Sequence, residues 1–218
     1  MPLHNSAFYI VPPYTILLFI KCVPTQYCLS KVCHYTIVLF IRHYVDIMFS
    51  RHYVTKPILR NIYNAFIMPY INYGLISWGA ACESVLNPLK IKIKQAVRLM
   101  AFTGRSHPSK PLFKQLNILD FGSCYKFECA RFMYQTSKFG RNNVFENLFK
   151  PVNSIHKLNT RQASAGNLAQ PIARTNFKSK FISVMGVKIW NETPVEIRQV
   201  RSKHIFAKKY KSWLINSC

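Results

Sequence analysis

Acidic residues are scarce in this sequence, which carries 7 Asp and Glu residues against 30 Lys and Arg residues and a formal net charge of +23. No two acidic residues are adjacent, so the chain lacks the paired aspartates with which polymerases and nucleases hold two metal ions. We therefore expect no catalytic activity from this chain and no metal or other cofactor. The excess of cations instead predicts an anionic partner, most often a nucleic acid.

Cysteine pairs with metal-ligand spacing are also missing. The 7 cysteines form no C-x-x-C motif, and Cys22, Cys28, Cys33 and His34 lack the close ligand pair of a zinc site. An odd number of cysteines without a pairing pattern favours free thiols in a reducing compartment over a secreted disulfide framework. We expect an intracellular protein, either cytoplasmic or nuclear.

Long apolar runs are absent from the amino-terminal third, although two short ones occur there, each far short of the roughly 20 residues that span a bilayer. The octapeptide YTILLFIK at residues 14–21 is echoed by YTIVLFIR at residues 35–42. We interpret residues 1–54 as a repeat-containing apolar extension that is irregular or weakly structured. Two alternatives remain open. These residues form apolar elements packed on the main domain, or the chain is a small basic membrane-associated protein that uses the segment from Tyr14 to Ile41.

The rest of the chain has enough apolar residues to fold, since 50% of the sequence is hydrophobic and 14% is aromatic. Residues 55–218 hold 26 of the 30 Lys and Arg residues and 6 of the 7 Asp and Glu residues. The pattern predicts a mainly α fold, a small helical bundle with a long irregular loop and a basic C-terminal helix. We divide this part into a helical domain at residues 55–149 and a loop plus basic tail region at residues 150–218.

Caps and breakers predict the helix boundaries. Thr55, with a proline two residues later, predicts the start of a helix that kinks at Pro69 and ends at Gly79. Four aromatic residues of this stretch are expected in the core, with base stacking by one or two of them as the alternative. They are Tyr63, Tyr70, Tyr73 and Trp78.

Two longer helices should follow. Asn87 as cap and Pro88 at the first position predict a helix that ends before Gly104. Asp120 is expected to cap a helix over residues 121–139. The remaining predictions are short helices at residues 111–116 and 144–149, a loop at 150–177, an alternating stretch at 178–190 with a turn at Gly186, a short helix opened by Pro194 and a terminal helix at 202–215.

Basic residues on these elements are the candidate nucleic-acid contacts, since Lys and Arg neutralise phosphates without reading bases. On the second helix these residues lie opposite an apolar stripe. In the long loop an arginine lies next to a threonine at two places, and the terminal helix is amphipathic with a basic face. A solvated surface face is the alternative. The candidates are Lys90, Lys94, Arg98, Arg161, Arg174, Lys208, Lys209 and Lys211.

Three motifs in the same order carry a family resemblance. The first is Leu59–Gly79, which contains YNAFIMPYINYGLISWG, together with the basic helix that follows it up to Met100. The second is PLFKQLNIL at residues 111–119. The third begins at Met185, contains Trp190-Asn191 and continues through Pro194 to Phe206. Together the motifs resemble the region that follows the palm in reverse transcriptases of non-LTR retrotransposons.

The resemblance implies a helical thumb at residues 55–149 that grips a template–primer duplex, followed by a tail that contacts nucleic acid. The implied partners are RNA or an RNA–DNA duplex and a palm-bearing reverse transcriptase chain, whereas a membrane partner is disfavoured. In this family the active site is the aspartate pair of the palm, and no residue here matches it. The resemblance therefore implies a truncated remnant of an RNA-directed DNA polymerase that binds nucleic acid without catalysis.

Overall fold

The computed structural model describes residues 39, 41–42, 54–139, 148–155, 158 and 160–217. In these ranges the protein is mainly helical and contains no β-strand, which confirms the predicted fold class. A lone antiparallel bridge joins Pro151 to Leu168. The expectations for residues 1–54, apart from four of them, and for most of the short helix at 144–149 lie outside the described residues.

The first helical stretch is interrupted where the sequence carries proline and glycine. Pro69 has no backbone N–H to donate, and just before it the Met68 N–H bonds to the carbonyl of Tyr63, five residues back, in a wide π-helical turn. Gly74, with a φ of 62°, makes a second, unpredicted break. The segments are α1 (Lys56–Ile62), the π turn (Tyr63–Ile67), α2 (Met68–Asn72) and α3 (Leu75–Trp78).

Helix α4 (Glu83–Ala101) starts earlier than predicted. Cys82 occupies the cap position and Pro88 lies inside the helix rather than at its first position. The acidic side chain at position 83 favours the earlier start, because a carboxylate in the first turn complements the helix dipole. The helix ends before Gly104 as predicted, but its left-handed capping residue is Phe102, with a φ of 56°, rather than the glycine.

Helix α6 (Phe121–Phe139) has the predicted boundaries and lies at the centre of the fold. Asp120 caps it, because its Oδ1 accepts a hydrogen bond of 3.1 Å from the backbone N–H of Ser123. A short helix, α5 (Ser109–Gln115), precedes it close to its predicted place and packs on α4. Helix α6 itself packs against α3 and against two helices from the C-terminal part of the chain.

The C-terminal part is more helical than expected. The stretch predicted to alternate forms helix α9 (Ile182–Glu192), and Gly186 lies buried inside it rather than in a turn. The physical reason is close packing, since a Cβ on Gly186 would lie only 3.0 Å from Sδ of Met133 on α6. The predicted loop contains short turns as well. In or at the end of that loop lie the 3₁₀ turn Val152–Ser154, α7 (Arg161–Ser164) and α8 (Asn176–Ser179). After α9 come α10 (Val195–Arg198) and α11 (Lys203–Ser217), close to the two helices predicted there.

Stacked aromatic rings join the two predicted regions into one core. Tyr134 of α6 stacks on Phe206 of α11, with ring centroids 4.3 Å apart. Phe206 also meets Tyr210 at 5.7 Å and Trp190 of α9 at 6.3 Å. Fully burying a large side chain stabilises a fold by about 1.5–3 kcal/mol, so these rings contribute strongly. One cluster of buried residues includes members from residues 55–149 and from residues 150–218, and Ile41 belongs to it.

Candidate nucleic-acid interface

Helix α4 carries Lys90, Lys94 and Arg98 at successive turns. Lys94 is exposed, whereas Lys90 is half-buried and does not lie opposite the apolar stripe as predicted. Its ammonium pairs with the carboxylate of Glu83 at 2.7 Å and lies 5.7 Å from the ring centroid of Phe121. Helical spacing explains the correction, because position 90 follows a buried leucine by four residues and so lies at the edge of the stripe.

Arg98 lies in the last turn of α4. Its Nε donates a hydrogen bond of 2.7 Å to the carbonyl of His107 and so holds the following loop against the helix. The ammonium of Lys56 lies 5.6 Å from the ring centroid of Phe102, at the same helix end. Cations are favoured beside the terminal carbonyls of a helix. Arg98 therefore has a structural role in this loop, beyond any contact with an anion.

A long segment of the chain, between Glu146 and Glu192, contains no acidic residue. The two predicted loop cations on it, Arg161 and Arg174, are both exposed. Four lysines of the same segment are exposed as well: Lys150, Lys178, Lys180 and Lys188. This segment, which we call the acid-free segment, therefore displays cations without carboxylates of its own to neutralise them.

Hydrogen bonds from side chains at the end of α9 and in α10 hold residues 167 and 168 of the acid-free segment in place. The amide of Asn191 donates to the carbonyl of Leu168 at 2.8 Å, and its Oδ1 accepts from the Leu168 N–H at 2.9 Å. Arg198, which is buried, donates from Nη1 to Oδ1 of Asn167 at 3.0 Å and lies 6.0 Å from the ring centroid of Trp190. The segment thus has a defined position despite its few regular elements.

Helix α11 presents its predicted cations in two different settings. Lys208 and Lys209 are exposed, but Lys211 is half-buried. Lys211 lines a cleft of about 140 Å³ that is also lined by Arg60 and by three asparagines, namely Asn64, Asn72 and Asn117. Helix α11 packs on α6 and α10, whereas α4 packs on α1 and α5. The eight predicted residues are thus distributed over elements with different packing partners.

Two exposed phenylalanines on the acid-free segment were not among the predicted residues. Phe177 is 63% exposed and Phe181 is 48% exposed. Their ring centroids lie 5.0 Å apart with an interplanar angle of 73°, a T-shaped arrangement. The sequence signal was the pattern F-K-S-K-F, in which two aromatic residues four positions apart flank two lysines.

Of the four aromatic residues predicted in the core, Tyr63 and Trp78 are buried, but Tyr73 is 64% exposed.

Three acidic side chains in the described part of the chain have structural partners. Glu83 pairs with Lys90, Glu128 pairs with Arg131 at 2.7 Å, and Asp120 caps α6. Within the described ranges, no three His, Cys, Asp or Glu side chains converge as a metal-ligand set would. The same residues include no helix with the length and apolar character that a membrane span needs.

Comparison with known proteins gave no relatives. No family model, no curated protein and no solved structure matches the chain.

Proposed function

We propose that this protein binds the phosphate backbone of a nucleic acid and has no catalytic role of its own. The acid-free segment carries the proposal, because it is a long, anchored stretch whose exposed charged side chains are all cationic. Lys94 on α4 and Lys208 and Lys209 on α11 add exposed cations on other elements. Contacts of this kind supply affinity that tolerates any sequence.

The resemblance to reverse transcriptases supplies the substrate class. We propose that the chain is a remnant of the thumb and tail of a non-LTR retroelement polymerase, with an RNA–DNA template–primer duplex or RNA as its partner. A thumb grips a duplex without performing chemistry, which agrees with a basic helical fold. On this proposal any polymerase activity would require a palm supplied by another chain.

A salt series on the full-length protein tests this function. We would measure binding to an RNA–DNA duplex and to single-stranded RNA from about 50 to about 200 mM salt, a range over which 6–10 phosphate contacts cost roughly 10³–10⁵ in affinity. A linear fall of log affinity with log salt is expected. Absence of binding at the lowest salt would overturn the proposal.

Membrane association through the segment from Tyr14 to Ile41 is the competing function. The last residue of this segment, Ile41, is fully buried among the core residues of the fold. Apolar insertion into lipid does not weaken with salt as phosphate binding does. Binding to neutral vesicles that persists across the salt series, without binding to nucleic acid, would favour the membrane function.

A further inference from the structure

The T-shaped pair Phe177 and Phe181 is an exposed aromatic surface that the fold does not use in its core. The two rings belong to consecutive elements, Phe177 to α8 and Phe181 to the cap position of α9. Thr175 fixes the start of α8, because its Oγ1 accepts a hydrogen bond of 3.1 Å from the N–H of Lys178. In a T-shaped pair each ring keeps at least one face that its partner does not cover.

Leaving such rings in water is unfavourable. Fully burying one phenylalanine is worth about 1.5–3 kcal/mol, and here two neighbouring rings are 63% and 48% exposed. A binding role explains why large apolar rings stand together at the surface. In the T-shaped arrangement each ring also has a face that the other ring does not cover.

The charges around the rings indicate what that partner is. Arg174, Lys178 and Lys180 stand within a few residues of the pair, all three are exposed, and no acidic residue occurs on this segment. An apolar protein partner would not require cations between the rings. A partner with flat rings and regularly spaced anions fits both features, and single-stranded nucleic acid has this chemistry.

We propose that Phe177 and Phe181 form a stacking platform for unpaired bases of single-stranded nucleic acid, with Arg174, Lys178 and Lys180 holding the adjoining phosphates. This inference rests on the proposed function and adds to it, because phosphate contacts alone do not distinguish a strand with bases from one without. Base–aromatic stacking tolerates every base, so the platform selects unpaired strands rather than a sequence.

The test compares two single-stranded DNA probes of equal length and charge, one with bases and one with abasic residues throughout. The full-length protein should bind the base-bearing probe at least about fivefold more tightly, the lower end for one stacked base. The double variant Phe177→Ala/Phe181→Ala should bind both probes alike, at the affinity of the parent for the abasic probe. The thermal unfolding of this double variant is measured beside that of the parent.

Matched variants separate stacking from loss of apolar area. Phe177→Tyr/Phe181→Tyr keeps the ring faces and should keep the preference for bases, whereas Phe177→Leu/Phe181→Leu keeps apolar volume and should lose it. Ile172→Ala removes another apolar side chain, 80% exposed, from the same segment and should change nothing. Photocrosslinking from 5-iodouracil in the probe should attach at Phe177 or Phe181.

The outcomes are distinct for the two proposals. Salt-dependent binding by the parent with no preference for bases would leave the phosphate-binding function standing and overturn the platform. An equal preference for bases in the parent and in the double leucine variant would also overturn it. Binding to neither probe at low salt would overturn the platform, and only a failure to bind the RNA–DNA duplex and single-stranded RNA as well would overturn the phosphate-binding function.

Discussion

The side-chain amide of Asn191 makes two hydrogen bonds to the backbone of Leu168, 23 residues earlier, donating to its carbonyl at 2.8 Å and accepting from its N–H at 2.9 Å. One side chain thus joins Leu168, in the middle of the acid-free segment, to the end of α9. Asparagine suits the position because its amide carries a donor and an acceptor side by side.

Replacing Asn191 by alanine should loosen this attachment. Both hydrogen bonds are lost, and we expect the free energy of unfolding to fall by about 1–3 kcal/mol. Hydrogen exchange at the Leu168 amide should become faster than in the parent. The control is Asn87→Ala at an exposed position of α4, which should leave the exchange at Leu168 unchanged. Equal protection of the Leu168 amide in both variants would contradict the assigned role.

Gly79 should not tolerate a side chain. A Cβ at this position would lie 2.5 Å from Cδ2 of Tyr125 on α6, a distance at which atoms overlap. We expect Gly79→Ala to lower the free energy of unfolding by about 1–3 kcal/mol, the usual cost of overpacking. Gly104→Ala is the matched control, because a Cβ there meets nothing within 4 Å. Chemical denaturation of the two variants would show the difference, and similar midpoints would rule out close packing at Gly79.

Lys90 and Lys94 should respond differently to charge reversal. Lys94 is exposed, so Lys94→Glu should weaken nucleic-acid binding and leave thermal stability unchanged. Lys90→Glu should lower stability as well, because it places two carboxylates together at Glu83 and removes the cation beside the Phe121 ring. The control is Lys114→Glu, an equal change of charge on α5. If Lys94→Glu binds no worse than Lys114→Glu at the same salt, α4 is not part of the interface.

The cysteines of the described ranges should differ in reactivity. Burial raises the pKa of Cys124 and of Cys129 to about 12, whereas the pKa of Cys82 is lowered by its hydrogen bond with Ser84. In a variant that keeps Cys82, Cys124 and Cys129 and has every other cysteine replaced by serine, iodoacetamide near pH 8 should label Cys82 in the folded protein. The two buried thiols should react only after denaturation, as mass spectrometry of the labelled peptides can verify.

The two buried thiols also predict a loss of stability at alkaline pH. Their folded pKa of about 12 lies above the ordinary value of about 8.5. Their contribution is therefore fully present below about pH 8.5 and is lost as the pH rises toward the folded value. The melting temperature should fall between these limits, and less steeply in Cys124→Ala/Cys129→Ala. An identical slope in parent and variant would show that the thiols are not the cause.

Local signals in the sequence determined the helical class and several boundaries. The Asp120 cap acts over three residues, and the terminal basic helix follows from its own periodicity, so both could be found without a fold. The break at Pro69 has a similarly local cause, the missing N–H. The excess of cations likewise follows from composition alone, and it led directly to the proposed phosphate-binding function.

Only tertiary structure decided features that depend on packing between distant residues. Gly186 was expected in a turn because glycine is flexible, but it lies inside α9, where a Cβ would come within 3.0 Å of Sδ of Met133 on α6. Lys90 was expected on an open face, but the Phe121 ring and Glu83 hold it at the edge of the core. The exposure of the Phe177 and Phe181 rings likewise depends on which surfaces the packed helices cover, and sequence spacing does not encode this. Periodicity assigns residues to a helix face, whereas the neighbouring elements decide which faces are buried.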